Sequence, residues 1–211
     1  GDADPDLPSV SRRLVCVMPT GAEIQQNFTG VWHMMMGRSE GLQFFDLSVD
    51  GFWNSFYAVL VALPVLMLGW VATANAIPEA TTFGLRLSLM LRLLVADIGV
   101  WLLPIALLAV IARPIGIARR FVHYVVATNW ASAFFAWAML PSMLLRLFAP
   151  GADLTELVSF LLFLATLVLS WRVTVVAIGE GMALGTAVFF GVLAASIAAL
   201  VALQSLLGLG F

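Results

Sequence analysis

Five long apolar stretches dominate the sequence, and short polar segments separate them. The hydrocarbon core of a bilayer is about 30 Å thick and takes roughly 20 apolar helical residues to cross. Each stretch is at least that long. We therefore predict an all-α fold, a polytopic membrane bundle of five transmembrane helices within residues 51–211, with spans over 52–75, 88–111, 121–147, 155–178 and 182–207.

Two features of the predicted spans affect how they pack. Pro64, Pro104 and Pro141 lie inside the first three, which is tolerable because neighbouring helices can satisfy the freed carbonyls. Gly179-Glu180-Gly181 leaves only a tight turn between the last two spans. We expect those two helices to be antiparallel neighbours.

The residues before the first span divide into two parts. Residues 1–19 are polar and contain three prolines, which predicts a tail without regular structure. Residues 20–50 form an amphipathic helix and a linker: Thr20 and Glu23 fit a capping box, and apolar residues then recur every three or four positions up to Gly37. The helix is too polar to span. It lies on the membrane surface, the reading we favour, or packs on the end of the bundle.

The composition agrees with a membrane protein. Of 211 residues, 62% are hydrophobic and 10% are charged, and the mean hydropathy is +1.04. A soluble domain of this size is about 25% charged and cannot bury so much apolar surface. A soluble enzyme and a disordered chain are thus excluded. No basic patch for nucleic acid is present, since the formal net charge is -2. The first partner is the lipid bilayer.

Arginine is distributed unevenly between the two predicted sides of the membrane. With a cytoplasmic N-terminus, seven arginines fall on that side and three on the other. The positive-inside rule therefore favours a cytoplasmic N-terminus and a C-terminus on the opposite side. The seven are Arg12, Arg13, Arg38, Arg113, Arg119, Arg120 and Arg172, and the three are Arg86, Arg92 and Arg146.

Polar groups inside the predicted spans are candidates for function, because hydrocarbon makes them costly. Asp97 is an ion or proton site, or a structural carboxylate that pairs with Arg92 or is held by a neighbouring helix. Because Arg92 is five residues away and not on the same face, partners from other helices are needed. Asn129 is expected to make a hydrogen bond between helices. Arg172 lies near the end of the fourth span, where its side chain can snorkel to the interface or pair with Glu180.

The last span carries a ridge of small residues spaced four apart, beside a Gly181–Gly185 pair. Small residues at this spacing let two helix backbones approach closely. The ridge either packs within the bundle or docks a partner subunit or second copy. Its members are Ala183, Ala187, Gly191, Ala195 and Ala199.

Motifs for catalysis or cofactor binding are not found. The sequence has no HExxH, GxSxG, Walker or GxGxxG pattern, and its single cysteine, Cys16, excludes a CxxC site. Its two histidines, His33 and His123, are poorly placed to hold a haem together. We expect no enzymatic activity, no cofactor and no metal.

The order of these parts resembles the bacterial branch of the Yip1-type five-span membrane proteins. The resemblance covers roughly residues 30–207: an amphipathic segment, a Phe-rich step through Gly51–Phe56, and five closely spaced helices. It implies a bacterial inner membrane protein of a family often described as transporters, and the arginine-only, Ala- and Leu-rich composition suits a GC-rich bacterium. The acidic-Leu-Tyr-Gly-Pro motif of eukaryotic members is absent, so their GTPase-trafficking partners are not carried over.

Two functions are compatible with these features. The leading hypothesis is a non-enzymatic integral membrane protein that acts through helix–helix contacts, as an accessory or scaffold subunit or as a membrane-organising factor. Other membrane subunits or a second copy would be its partners. The alternative is a small transporter or channel subunit with a polar path near Asp97. Five spans without an internal repeat would then require oligomerisation.

Overall fold

The computed structural model describes residues 19–77, 82–149 and 151–209, and these residues form helices without any strand. All but the last residue of the predicted tail 1–19 lies outside this range. The helices are α1 (Gly21–Met35), α2 (Val49–Asn54), α3 (Ala58–Ala76), α4 (Phe83–Ile111), α5 (Phe121–Ala138), α6 (Leu140–Phe148), α7 (Asp153–Ile178) and α8 (Met182–Leu207).

Five helical segments are long and apolar enough to cross a membrane, which confirms the predicted number and class. Short 3₁₀ turns complete two of them. The first span is α2 and α3 joined by the turn Ser55–Tyr57, and the third is α5 and α6 preceded by the turn Ala118–Arg120. The other three are α4, α7 and α8. The protein is therefore an integral, multi-pass membrane protein.

Two departures from the predicted spans have local reasons. The second span begins at Phe83 rather than 88, because the Thr82 hydroxyl accepts a hydrogen bond from the Leu85 amide at 3.3 Å and caps the helix there. The third span is broken at Met139, two residues before Pro141. Proline has no amide hydrogen to donate, so a break near it is expected.

The amphipathic helix α1 is present, with the predicted Thr20–Glu23 capping box. Its apolar face is buried in protein: Val31, Met34 and Met35 have no exposed surface, and the helix packs on α5 and α7. The helix therefore packs on the bundle, as the second placement expects, but along its side and not on its end. The contact runs along the bundle, because Phe28 packs edge-to-face on Phe134 near the middle of the third span.

Packing between the spans forms a ring. The first span packs on the third, the third on the fourth, the fourth on the fifth and the fifth on the second, which returns to the first through a smaller contact. The predicted tight turn between α7 and α8 is confirmed, with positive φ at Gly179 and Gly181. Because the contact between the first and second spans is small, a space remains between α3, α4, α5 and α8, and that space holds the candidate site.

Candidate functional site

An inner cavity of about 580 Å³ lies between α3, α4, α5 and α8. Most of its lining is apolar, as expected within a membrane bundle. A small polar and aromatic set interrupts this lining, which is the usual composition of a ligand pocket. The polar side chains are those of Asp97, Thr128, Asn129, Ser132 and Ser196, and the large aromatic ones are Trp70, Trp101 and Tyr124.

Asp97 is the most unusual residue of this lining. It stands at the midpoint of α4, and its side chain is exposed toward the cavity space. Trp70 Nε1 of α3 donates a hydrogen bond of 2.7 Å to Asp97 Oδ2, so a neighbouring helix does hold the carboxylate. Arg92 does not pair with Asp97, as its different face of the helix requires; its Nη1 instead donates to the Leu207 carbonyl at 3.2 Å. No cationic side chain lies within salt-bridge distance of Asp97 among the described residues.

Asn129 connects three segments of the bundle, as the predicted interhelical hydrogen bond requires. Its side chain is 1% exposed. Trp101 Nε1 of α4 donates to Asn129 Oδ1 at 3.1 Å, and Asn129 Nδ2 donates to Ser55 Oγ at 2.9 Å. Ser55 in turn donates to the Phe52 carbonyl at 2.7 Å. Both ends of the amide are thus satisfied, and the chain of bonds fixes α4, α5 and the first span at one level.

A second chamber of about 260 Å³ lies between α5, α7 and α8 and shares lining residues with the inner cavity. Ser132 and Thr128 face both chambers. Ser132 is exposed although α5 is the most buried of the long helices, which shows how open the centre of the ring is. The hydroxyls of Thr128 and Ser132 donate to carbonyls of their own helix at 2.7 and 2.8 Å. Toward the cavity they present acceptor lone pairs.

A polar vestibule of about 290 Å³ adjoins the site on another side, between α1, α2 and α5. Ser55 lines the vestibule and Asn129 lines the inner cavity, so their hydrogen bond stands between the two spaces. Glu23 also lines the vestibule. Hydrogen bonds from the backbone amide and then the hydroxyl of Thr20 lower the pKa of Glu23.

Arg172, the third predicted polar residue, lies outside the cavity. Its Nη2 donates to the Met36 carbonyl at 3.4 Å, where the negative end of the α1 dipole favours a cation. The pairing of Arg172 with Glu180 is not formed, since Glu180 contacts Arg120 at 3.5 Å. The structure therefore brings Asp97 and Asn129 together and assigns Arg172 to a helix terminus.

The ridge on α8 is mostly open. Ala183, Ala187 and Gly191 are exposed, and a Cβ atom at Gly191 would meet nothing within 4 Å. The close approach to α7 occurs instead at Gly185, where a Cβ atom would lie 2.8 Å from the Val175 Cα. Ala195 and Ala199 are half-buried, and Ala187, Gly191 and Ala195 border a groove of about 210 Å³ beside α4.

Sequence reasoning missed five residues of the site: Ser55, Trp70, Trp101, Tyr124 and Ser196. Their polar atoms belong to residue types that are common near membrane interfaces, so nothing marked them before their partners were known. No group of three His, Cys, Asp or Glu side chains in the described ranges is arranged to hold a metal ion.

Comparisons with protein-family models, curated proteins and solved structures give no match. The resemblance to the Yip1-type proteins therefore stays a prediction, and function has to be argued from the geometry of the cavity.

Proposed function

We propose that this integral membrane protein is a small transporter or channel subunit, whose ligand or ion is held in the inner cavity at Asp97. The observation that carries the proposal is the environment of this carboxylate. It lies at the midpoint of a membrane-spanning helix, opens on a cavity, and has one hydrogen-bond partner among the described residues.

A purely structural role accounts poorly for this environment. A carboxylate in hydrocarbon is costly unless it gains a proton, a cation or several hydrogen bonds. The only arginine within two turns of Asp97 on its own helix, Arg92, is occupied by the Leu207 carbonyl. Asp97 therefore keeps an oxygen for a partner that enters from outside the described chain, and the cavity provides the space for it.

Two further features support a path rather than a closed pocket. The polar vestibule reaches Ser55, whose Oγ accepts a hydrogen bond from Asn129 in the lining of the inner cavity. On the far side of α5, Thr128 and Ser132 connect the inner cavity with the second chamber. Because five spans contain no internal repeat, we propose that the chain works as part of an oligomer.

Cysteine accessibility tests the proposal without knowledge of the ligand. In a Cys16→Ser background, Asp97→Cys and Ser132→Cys would be treated with a membrane-impermeant thiosulfonate reagent added to either face of sealed vesicles. Leu103→Cys is the matched control, because Leu103 is an exposed residue on α4 that does not line the cavity. Ser132→Cys leaves the carboxylate intact, in case Asp97→Cys impairs folding.

A transport path predicts that both cavity cysteines react from each face, whereas Leu103→Cys does not react. Equal reactivity of all three positions, or no reaction at the cavity positions, would contradict the proposal. Reaction from one face alone would indicate a pocket that opens to one side of the membrane only. That result would also overturn a transport function.

The α8 ridge supports a second candidate, an accessory subunit that acts through helix–helix contacts. We propose that its occupant would be a second copy of the chain packed along Ala183, Ala187 and Gly191, which are exposed here. In the Cys16→Ser background, Ala187→Cys is expected to crosslink under oxidation in native membranes, and the control Val110→Cys, on the outer surface of α4, is not. A monomeric particle in mild detergent without the crosslink would remove this candidate.

A further inference from the structure

The polar lining of the inner cavity carries one charge, the Asp97 carboxylate, and most of its hydrogen-bond donors are already used; the hydroxyls of Tyr124 and Ser196 are the exceptions among the described lining residues. The protons of the Thr128 and Ser132 hydroxyls are used within α5, and both ends of the Asn129 amide have protein partners. The indole N–H groups of Trp70 and Trp101 are also occupied. No Arg or His is found among the described lining residues. An anionic ligand would therefore be repelled by the carboxylate and by the acceptor oxygens. A cation would instead be attracted by both.

Aromatic side chains surround the carboxylate. Trp101 follows Asp97 by one turn of α4, so both side chains point to the same side of that helix. Trp70 approaches from α3 within hydrogen-bond distance of the carboxylate, and Tyr124 lines the same space from α5. Aromatic rings beside a carboxylate are the groups that recognise ammonium ions, through charge attraction and cation–π contacts.

A bare metal ion does not suit the size of the cavity and its apolar walls. A Ca²⁺ or Mg²⁺ ion needs about six oxygen ligands at roughly 2.0–2.6 Å. Asp97 is the one residue of the described lining that offers a charged oxygen as a metal ligand. A space of about 580 Å³ instead lies within the range of drug-sized ligands. The lining residues of α3, among them Leu63 and Leu66, offer a surface for an apolar body.

We propose that the inner cavity binds an amphipathic organic cation, such as a quaternary ammonium or protonated amine. Its charged head lies against Asp97 between Trp70 and Trp101, and its apolar body lies along α3 and α5. This assignment rests on the proposed ligand-binding function and names its substrate class. The hydroxyl oxygens of Thr128 and Ser132 supply the remaining acceptors for an ammonium that carries hydrogens.

Calorimetric titration of the full chain in a maltoside detergent tests the ligand class with three soluble probes that share one aromatic body. Benzyltrimethylammonium carries the positive charge, benzyl alcohol is neutral, and phenylmethanesulfonate is negative. The cation is expected to bind roughly tenfold or more tightly than the alcohol, because charge and cation–π contacts are made in a desolvated site. The sulfonate is expected not to bind.

Variants then locate the site. Asp97→Asn is expected to weaken binding of the cation by roughly tenfold or more, while the exposed control Asp153→Asn leaves it unchanged. Ser132→Leu fills the cavity without touching the carboxylate and is expected to abolish binding, so the test stands even where Asp97→Asn does not fold.

Equal affinities for benzyltrimethylammonium and benzyl alcohol, or cation binding that survives both variants, would overturn the proposal. Binding of none of the three probes would overturn it as well. These outcomes are distinguishable from failure of the proposed function, because cysteine accessibility measures whether water reaches Asp97 and does not depend on the charge of a ligand.

Discussion

Two glycines of α8 provide a matched pair that tests the packing of the last two spans. Gly185 faces α7, whereas Gly191, less than two turns further on, faces open space. The same substitution, Gly→Ala, adds one methyl group to the same helix in both variants. Any difference between Gly185→Ala and Gly191→Ala therefore reports the contact between α7 and α8 and not the change in helix propensity.

The size of the effect follows from the distances. A Cβ atom at Gly185 would lie 2.8 Å from the Val175 Cα, and ordinary contact begins at 3.4 Å, so the helices must separate by 3.4 − 2.8 = 0.6 Å. The obstructing atom belongs to the backbone and cannot rotate away. Overpacking of this kind costs about 1–3 kcal/mol, and alanine returns about 1 kcal/mol of helix propensity. We expect Gly185→Ala to lose up to about 2 kcal/mol and Gly191→Ala to gain up to about 1 kcal/mol, so that the two variants differ by about 1–3 kcal/mol.

Unfolding in mixed micelles, titrated with SDS and followed by helical circular dichroism, measures both changes against the unmodified chain. Equal stabilities of the two variants would refute the placement of Gly185 against Val175. A Gly191→Ala variant less stable than Gly185→Ala would show that the faces of α8 are exchanged.

Two further predictions concern the site and α1. Asn129→Ala removes two interhelical hydrogen bonds and is expected to cost about 1–3 kcal/mol in the same titration, whereas the exposed Asn75→Ala changes little. Thr20→Ala removes the helix cap and should speed amide hydrogen exchange in the first turn of α1. Because the folded-state pKa of Glu23 is lowered, the cap stabilises α1 above the ordinary carboxyl range and loses this effect as pH falls through the folded pKa. Exchange that is independent of pH after correction for the intrinsic rate would contradict this account.

The spans were predictable because their signal is local. Hydrophobicity over roughly 20 residues decides whether a segment crosses a bilayer, and it needs no knowledge of neighbours. The start of the second span at Phe83 and the break of the third at Met139 were harder to predict. The first depends on a capping hydroxyl, and the second on a nearby proline, which weakens a helix without always ending it. The packing of α1 on α5 and α7 was not decided by its pattern, because a membrane surface and a protein surface favour the same apolar face.

The site was predictable only in part. Asp97 and Asn129 stood out because ionisable and amide groups are rare in the spans, but nothing in their spacing shows that both line one cavity. That meeting depends on the order of helices around the ring, which places the second span beside the first and the fifth. Arg172 stood out for the same reason and has a different role, at the C-terminal end of α1. A polar residue that is rare in a span can be recognised from the sequence as energetically costly, but its partner cannot.

The small residues that line the centre of the ring argue that the cavity is maintained. Ser132 and Ser196 occupy lining positions that are not fully buried, where larger apolar side chains would fill the space. Protein interiors are close-packed, and an unfilled cavity loses dispersion contacts that filling would restore. A bundle required only to span the membrane, or only to present an outer face to a partner, gains nothing from this loss. The open cavity with its few polar groups thus favours a function that uses the inside of the ring over one that uses the α8 ridge alone.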